Sequence, residues 1–287
     1  MRPRLLLYVA WLLLCLPAGS ASAKAALGRG PANTGEGAQA STRGANPPPT
    51  ATIGATYFIE PLSPSYHLPA GQSFVYEADW RLWTAGNATI KLENLGNEYH
   101  MSATADSIGV VAMLYRVADR FESYFDAKTL CSSHIMKHTE EGTHRRETNI
   151  RFDYQKRKAI LDERSLKDNG AKHQEEDIPP CVTDVLSGII YGATLPLRDG
   201  ATYNFPLNDG GKTVNVQAHV EGHEEVKTPA GTFQTVRVQP EADSGVLKQR
   251  GKIWVWYTND GQHIPVLMRA RMFWGTLTIR LARIDKT

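Results

Sequence analysis

The strongest constraint on the fold lies near the C-terminus, where two β-rich segments surround the turn Asn259-Asp260-Gly261. These turn residues tolerate the positive φ of a tight reversal, so residues 251–272 are predicted to form a β-hairpin. In its first strand, Trp254 and Trp256 occupy the alternate positions that an exposed face would fill with polar residues. The hairpin is therefore predicted to lie at the centre of an antiparallel sheet and to be covered on both faces.

Short segments that alternate apolar and polar residues recur from residue 72 to the end of the chain, separated by tight turns. Two of these turns are predicted at Ala85-Gly86-Asn87 and at Gly96-Asn97. About a dozen such strands favour a mainly β domain, built as a single antiparallel, strongly curved sheet or a partly closed barrel.

Two segments depart from the strand period and are predicted to be short helices that cover the openings of the sheet. Residues 107–117 carry apolar side chains at helical spacing, with Ser107 or Asp106 as the N-cap. Residues 182–195 carry a broad apolar stripe, with Thr183 as the N-cap. The interior beneath these helices is the predicted place for a ligand.

Several polar segments are predicted to face solvent. Residues 145–154 and 158–163 are interpreted as a charged, solvent-facing ribbon, and residues 167–177 as a polar loop. Acid pairs such as Glu140-Glu141 and Glu175-Glu176 are interpreted as solvated surface, because no pattern places two carboxylates across a cleft.

The N-terminus has the three regions of a secretory signal peptide in the usual order. Residues 2–4 are basic, residues 5–16 form an apolar core, and Ala21-Ser22-Ala23 is a small-residue cleavage site. The core is shorter than the about 20 residues of a membrane span. Cleavage after Ala23 and export to the periplasm or cell envelope are therefore predicted. The alternatives are a buried N-terminal helix and a lipoprotein signal at Cys15, although a bulky leucine precedes that cysteine.

Three regions follow from these patterns. Residues 1–23 are the predicted signal peptide. Residues 24–71 are rich in Ala, Gly, Pro, Ser and Thr and show no sustained periodicity, so a disordered linker is predicted. Residues 72–287 are predicted to form a single β-rich domain, long enough to build one core.

The charge balance disfavours a nucleic-acid partner. Signal cleavage removes two of the 32 basic residues and none of the 30 acidic ones, so the processed chain has a formal charge near zero. A broad nucleic-acid footprint needs clustered excess Lys and Arg. No second long apolar stretch follows, so no transmembrane segment is predicted after cleavage.

Two cysteines remain after processing, Cys131 and Cys181. In the oxidising compartment of an exported chain they can form a disulfide. The alternative is two separate thiols, because the sequence does not show how close the two Cα atoms lie.

Six turn and strand motifs of the chain occur together in one known family. They are Tyr76-Glu77-Ala78, residues 183–187, residues 227–233, residues 254–260, Ile264-Pro265-Val266 and residues 275–278. With these motifs the chain resembles domain of unknown function family 3108, a group of exported bacterial proteins, over nearly all of residues 72–287. The resemblance implies the β-rich fold, similar to the curved sheets of lipoprotein carriers, and an envelope location. It implies no active site.

The spacing of the residues in the sequence gives little support for a metal site or for nucleophilic catalysis. His134 and His138, like His219 and His223, lie four apart on one strand, about 13 Å from each other, too far to share a metal ion. Neither a Gly-x-Ser-x-Gly motif nor a phosphate-binding Gly-rich loop occurs. No catalytic residue, metal or cofactor is predicted. Asp184, at a helix start, is explained by the free N–H groups there.

Aromatic residues supply the remaining signal for a ligand. The candidate residues all lie on or beside predicted strands, and in a bent sheet they can line a cavity for an apolar chain; the alternative is ordinary core packing. They are Trp80, Trp83, Trp254, Trp256 and Trp274.

Three hypotheses of function follow. The first is a non-enzymatic domain that binds an apolar or amphipathic envelope ligand such as a lipid, or an envelope protein partner. The second is an envelope hydrolase acting on glycan or lipid, with Asp184 and a strand histidine as candidates. The third is a purely structural module tethered by its N-terminal tail.

Overall fold

The protein folds around one strongly curved sheet of 15 strands with two short helices, which confirms the predicted mainly β class. The computed structural model describes residue 59 and residues 66–80, 83–242, 251–272 and 275–286. The strands are β1 Gln72–Trp80, β2 Trp83–Asn94, β3 Glu98–Ser107, β4 Ala118–Asp126, β5 Ser132–Glu141, β6 His144–Asp153, β7 Lys158–Ser165, β8 Ala171–Asp177, β9 Thr183–Asp184, β10 Thr202–Asp209, β11 Lys212–Thr228, β12 Gly231–Ala242, β13 Lys252–Thr258, β14 Pro265–Met272 and β15 Gly275–Lys286. The helices are α1 Gly109–Leu114 and α2 Val185–Thr194.

Strands that follow one another in sequence pair with each other, except β8 and β9, which form the two edges of the sheet, and β1 also pairs with β15. The order is β8-β7-β6-β5-β4-β3-β2-β1-β15-β14-β13-β12-β11-β10-β9, antiparallel except for the short parallel pair of β9 and β10. The C-terminal hairpin of β13 and β14 therefore lies in the central part of the sheet, as predicted.

The sheet curls but does not close. Its β8 edge approaches the turn between β10 and β11 through side chains instead of a strand ladder. Gln174 donates to the carbonyl of Gly211 at 3.0 Å, and the Glu176 carboxylate accepts from the backbone N–H of Thr213 at 2.7 Å. Gly211 has a φ of 78°, and a Cβ there would lie 2.8 Å from a Leu161 methyl carbon. Glycine is needed at this close approach.

The core fills the concave side of the sheet. Alternate residues of most strands point inward, as the two-residue period requires. The fully buried side chains include Tyr76, Leu92, Met101, Phe121, Phe125, Ile150 and Leu281. The charged ribbon of β6 and β7 faces solvent on one side only, because Phe152, Ala159 and Leu161 are buried on the other.

The outer face of the central strands is covered by the distal part of the β11–β12 hairpin. A register shift at Gly222 bends this hairpin, and the N–H of Ala230 at its tip donates to the carbonyl of Leu281 at 3.1 Å. Trp256 beneath it is 3% exposed. The prediction that the C-terminal hairpin is covered on both faces is therefore confirmed at Trp256.

Three local predictions are wrong. Ala85-Gly86-Asn87 lies inside β2 and is not a turn; a Cβ at Gly86 would lie 2.4 Å from the Asp106 carbonyl oxygen, so glycine serves close strand approach. Residues 171–177 form the edge strand β8, polar because it is largely exposed. The predicted N-cap Ser107 instead accepts a hydrogen bond from the N–H of Val117, and α1 begins after Ile108 without a side-chain cap.

The packed region begins before Gln72, since Ile59 and Leu68 are buried in the core cluster. The predicted signal peptide, most of the predicted linker, and Trp274 lie outside the described residues.

Candidate ligand cavity

An apolar cavity of about 150 Å³ lies between α2 and the concave face of the sheet. Helix α2 supplies one wall, and strands β10 to β15 supply the other. Nearly all of the lining side chains are aliphatic or aromatic. They include Ile189, Phe205, Val216, Ala218, Val238, Ile253, Val255, Met268, Ala270 and Ile279.

Two glycines let α2 approach the sheet closely enough to form this wall. A Cβ at Gly192 would lie 2.6 Å from the Tyr257 hydroxyl, and one at Gly188 would lie 2.9 Å from a Leu207 methyl carbon. The same Tyr257 hydroxyl donates to the Ile189 carbonyl at 3.0 Å and holds the helix in place. Close helix–sheet contact at these positions defines the depth of the cavity.

The size and lining suit an apolar group. A cavity of roughly 150 Å³ lined by aliphatic and aromatic side chains can stay dry and accept a benzene-sized molecule. A smaller cavity of about 50 Å³ lies beneath α1 and shares Leu277 with the larger one. The space therefore fits the terminal part of an acyl chain or a group of similar size.

Two charged residues, Asp209 and Arg269, lie among the mainly apolar residues that line this cavity, and Asp209 has a buried ionic partner. Its carboxylate lies 3.7 Å from the ammonium group of Lys137, whose side chain is 1% exposed. A buried ion pair is retained only where each charge is compensated. This pair places polar chemistry next to an apolar cavity, the combination that an amphipathic ligand needs.

Lys137 belongs to a polar row on the inner faces of β4 to β7 that the sequence analysis missed. Within the row, Lys137 lies opposite Phe121 on β4 and Thr148 on β6, and Thr148 donates to Glu163 at 3.2 Å. Glu141, on the same face of β5, is 6% exposed. The interpretation of Glu140-Glu141 as solvated surface is therefore wrong for Glu141.

The signal for this row was present in the alternation of β5. Ile135, Lys137, Thr139 and Glu141 are all buried, whereas the intervening residues point to the outer face. Charged residues at every second position of a strand are normally assigned to the solvated face. Only the pairing with Phe121 shows that this face is the inner one.

Asp119 shares this inner face and is 1% exposed. Burial raises the pKa of its carboxyl group to about 7, although the N–H of Glu140 donates to it at 3.0 Å. The native state thus holds a proton that the unfolded chain has already released at a pH above about 4. The neutral form contributes stability that is lost as the pH rises towards 7.

We therefore expect the free energy of unfolding to fall by roughly 2–3 kcal/mol between about pH 5 and pH 8 through Asp119 alone. Asp119→Asn should remove this part of the pH dependence, because asparagine stays neutral at every pH. Urea unfolding of both proteins across this range is the measurement, with the exposed Asp177→Asn as control. Parallel profiles of wild type and Asp119→Asn would contradict the expectation.

The four described tryptophans of the candidate set do not line the apolar cavity. Trp80 packs partly buried against the core, and Trp83 is 64% exposed at the start of β2. Trp254 and Trp256 lie at alternate positions of β13, on the outer face of the strand. The Trp256 indole donates to Glu224 at 2.7 Å, and the Arg269 guanidinium lies 5.2 Å from its ring. The cavity is built from smaller aliphatic residues of the same strands.

Asp184 is the N-cap of α2, in place of the predicted Thr183, whose hydroxyl donates to the carbonyl of Pro206. Its carboxylate is completely buried and accepts four hydrogen bonds, which match its lone-pair positions. The donors are the N–H groups of Leu186 and Ser187, at 2.8 and 3.1 Å, and the hydroxyls of Ser123 and Ser132, at 2.6 and 2.7 Å. Asp184 thus ties α2 to β4 and β5.

The two cysteines flank this group of residues. The Sγ atoms of Cys131 and Cys181 are bonded in the structure, and their Cα atoms lie 5.1 Å apart, within the usual disulfide range. Next to them, the N–H of Ser132 donates to the Val182 carbonyl at 2.9 Å. The Tyr154 hydroxyl contacts the carbonyls of both Ser132 and Val182. We call Cys131, Ser132, Cys181 and Asp184 the clasp.

The histidines of the two strand pairs each have their own partners. His134 contacts Asn149 at 2.7 Å and His138 contacts Glu140 at 3.3 Å, whereas His219 contacts Thr202 and His223 contacts Asp199. In the described part of the chain, no group of three or more His, Cys, Asp or Glu side chains is arranged to hold a metal ion. No helix in this part is long and apolar enough to span a bilayer.

Solved structures share the fold at low identity. One is a β-barrel-like protein of domain of unknown function DUF1849 from Brucella abortus, with 9% identity and a TM-score of 0.54 over 77% of this chain and 99% of the other. At this identity the likeness concerns the fold alone.

Two further structures have lower scores. A candidate lipoprotein from Parabacteroides distasonis has 10% identity and a TM-score of 0.33, covering 81% of this chain and 100% of the other. A candidate exported protein with a YmcC-like fold from Bacteroides fragilis has 10% identity and a TM-score of 0.30, with the same coverage. No curated protein matches the chain. Residues 75–282 match the family described as protein of unknown function (DUF3108), and the chain therefore belongs to that family.

Proposed function

We propose that this domain is exported to the periplasm or cell envelope and binds the apolar part of an amphipathic ligand in the cavity beneath α2. The cavity of about 150 Å³, with an almost wholly apolar lining, is the observation that carries the proposal. The basic, apolar and small-residue regions of the N-terminus support export.

The ligand class follows from the lining. The apolar wall takes the end of a hydrocarbon chain, because burying each methylene group is worth about 0.8 kcal/mol. The Lys137–Asp209 pair and the polar row beside it offer hydrogen-bonding and ionic partners to a polar part of the same molecule. A single-chain amphiphile, such as a fatty acid or a lysophospholipid, satisfies both requirements.

The proposed role is binding without catalysis. Asp184, the carboxylate of the hydrolase hypothesis, is completely buried, and its four hydrogen bonds join it to protein groups. Its surroundings explain it as a helix cap that also joins two strands.

The test is native mass spectrometry of the processed chain purified from a periplasm, followed by lipid extraction. We expect a reproducible bound mass of lipid size. The double variant Ala218→Leu with Ala270→Leu fills the cavity and should lower occupancy by at least about tenfold, since it removes the space of several methylene groups. Ala171→Leu, on the exposed strand β8, is the matched control.

Thermal unfolding first establishes that the filled variant is folded. A clean apo mass after incubation with an envelope lipid extract would refute the proposal. So would a bound mass equally abundant in wild type and in the folded, filled variant.

A further inference from the structure

The distal part of the β11–β12 hairpin has one strand edge that no described residue pairs with. Strand β11 runs from Lys212 to Thr228, but β10 pairs with it only as far as His219. From Gly222 onwards, β12 is the only described strand that pairs with β11. We call residues 223–227 the free edge, because their second side is open in the described part of the chain.

The backbone groups of the free edge alternate in direction. Thr228 and Gly231 flank the two-residue turn of the hairpin and are paired with each other. Residues in these positions form a hydrogen-bonded pair, because the first carbonyl of a tight turn accepts from the fourth N–H. Hydrogen-bonded and non-hydrogen-bonded pairs alternate along an antiparallel ladder. The N–H and carbonyl groups of His223, Glu225 and Lys227 therefore point away from β12.

A cleft of about 670 Å³ lies beside the free edge, on the outer face of the sheet. Residues 224–227 of β11 line it, and none of the described lining residues belongs to β12. The cleft is therefore on the unpaired side of the hairpin. Its floor is formed by strands β13 to β15 and by Asp79 and Thr84, near the ends of β1 and β2 that are joined by a turn. Space for another strand is thus present next to the free backbone groups.

The residues that line the cleft are balanced in charge, with three acidic and three basic side chains. Arg280 donates to Asp79 at 2.5 Å. Glu224 accepts from the Trp256 indole at 2.7 Å and from Arg237 at 2.8 Å. The lining therefore has no net charge that would select an ionic ligand. The six charged residues are Asp79, Glu224, Glu225, Lys227, Arg269 and Arg280.

We propose that the free edge binds an extended peptide segment of a partner protein, which adds to β11 as one more strand and lies in the cleft. An extended chain presents N–H and carbonyl groups on one side at every second residue, the spacing that His223, Glu225 and Lys227 offer. A saccharide or a lipid headgroup has no such repeat. In strand addition, main-chain hydrogen bonds give affinity and pockets for alternate side chains give specificity.

The polar lining of the cleft indicates the kind of segment that fits. The hydroxyls of Thr84 and Thr278 and the guanidinium of Arg269 lie among the lining residues and can bond to polar side chains of the peptide. The free edge lies on the outer side of strands whose inner side forms the apolar cavity. Peptide binding there is therefore independent of the ligand proposed for the cavity.

The test is selection of short peptides from a random display library on the processed chain, followed by affinity measurements with the synthetic peptides. Glu225→Pro removes the central free N–H and should weaken binding by about tenfold or more. The hairpin itself should stay folded, because an edge strand tolerates proline where the N–H faces away from its partner. Thermal unfolding checks this.

Glu175→Pro is the matched control, since it makes the same substitution on β8, at one edge of the whole sheet. The N–H of Ile178 donates to the carbonyl of Arg157, and the alternation of pairs from there turns the N–H of Glu175 away from β7. This variant should bind the selected peptides as wild type does.

Hydrogen exchange resolved at single residues identifies the contact. In the chain alone, the N–H groups of His223, Glu225 and Lys227 should exchange fast, whereas those of Glu224 and Val226 should be protected by the hairpin. A bound peptide should protect the first three. A selection that enriches no peptide would overturn the proposal, as would equal binding to wild type and folded Glu225→Pro, or binding that leaves these three groups unprotected. Protection already present in the chain alone would also overturn it, because a second copy or another segment of the same chain would then occupy the edge.

Discussion

Replacing Asp184 with alanine should lower the free energy of unfolding by about 4 kcal/mol. The substitution removes a helix N-cap, worth about 1 kcal/mol. It also leaves the buried hydroxyls of Ser123 and Ser132 without their acceptor. Hydrogen bonds to a charged group contribute roughly 1.5–3 kcal/mol each, and buried donors cannot recover them from water. Urea unfolding followed by circular dichroism measures the loss.

Asp126→Ala is the control for this prediction. Asp126 accepts three hydrogen bonds from Lys128 and Thr129 but lies in an exposed turn, where water can replace the carboxylate. It should cost about 1 kcal/mol. If Asp184→Ala does not fold, Asp184→Asn should still fold with an intermediate loss, because asparagine is a good N-cap. A loss for Asp184→Ala no larger than that of the control would contradict the assignment of Asp184 to the clasp.

Loss of the disulfide should be nearly as costly. The double variant Cys131→Ser with Cys181→Ser opens a loop of 50 residues. In the chain-entropy treatment this costs about 3–4 kcal/mol. For a domain of this size the melting temperature should fall by about 10 °C.

Thermal unfolding of the oxidised wild type, the double variant and each single variant tests this expectation. The single variants should resemble the double variant, since either one breaks the bridge. Non-reducing mass mapping of the wild-type chain supplies the independent check. Two free thiols, or a double variant as stable as the oxidised wild type, would show that the bridge does not contribute.

The strands and their central hairpin could be predicted because their signals are local. Alternation, tight turns and the Asn259-Asp260-Gly261 reversal depend on residues close in sequence. The same local reasoning failed at Gly86, where glycine is required by the Asp106 carbonyl of a neighbouring strand. A glycine demanded by close approach and one demanded by a turn look alike in a sequence.

The candidate cavity was less predictable than the strands. The position of a site beneath the second helix was expected, but tryptophans were the proposed lining. The observed lining is mainly aliphatic, with Phe205 and Tyr257 as its aromatic residues, and the described tryptophans lie elsewhere. Large aromatic residues signal burial strongly, yet the direction in which they point depends on which face of the strand is inner. Trp256 is buried on the outer face because a distant hairpin folds over it.

By itself the sequence determined the mainly β class, the positions of the two helices and the family, since each depends on periodicity or on short motifs along the chain. Tertiary structure alone decided which of the two alternating sets of β5 side chains faces the interior. Lys137 and Glu141 belong to that set and are buried. It also brought Cys131 and Asp184 from separate segments to one clasp. The physical reason is that a strand offers two equivalent faces, and only packing against distant partners makes one of them the interior.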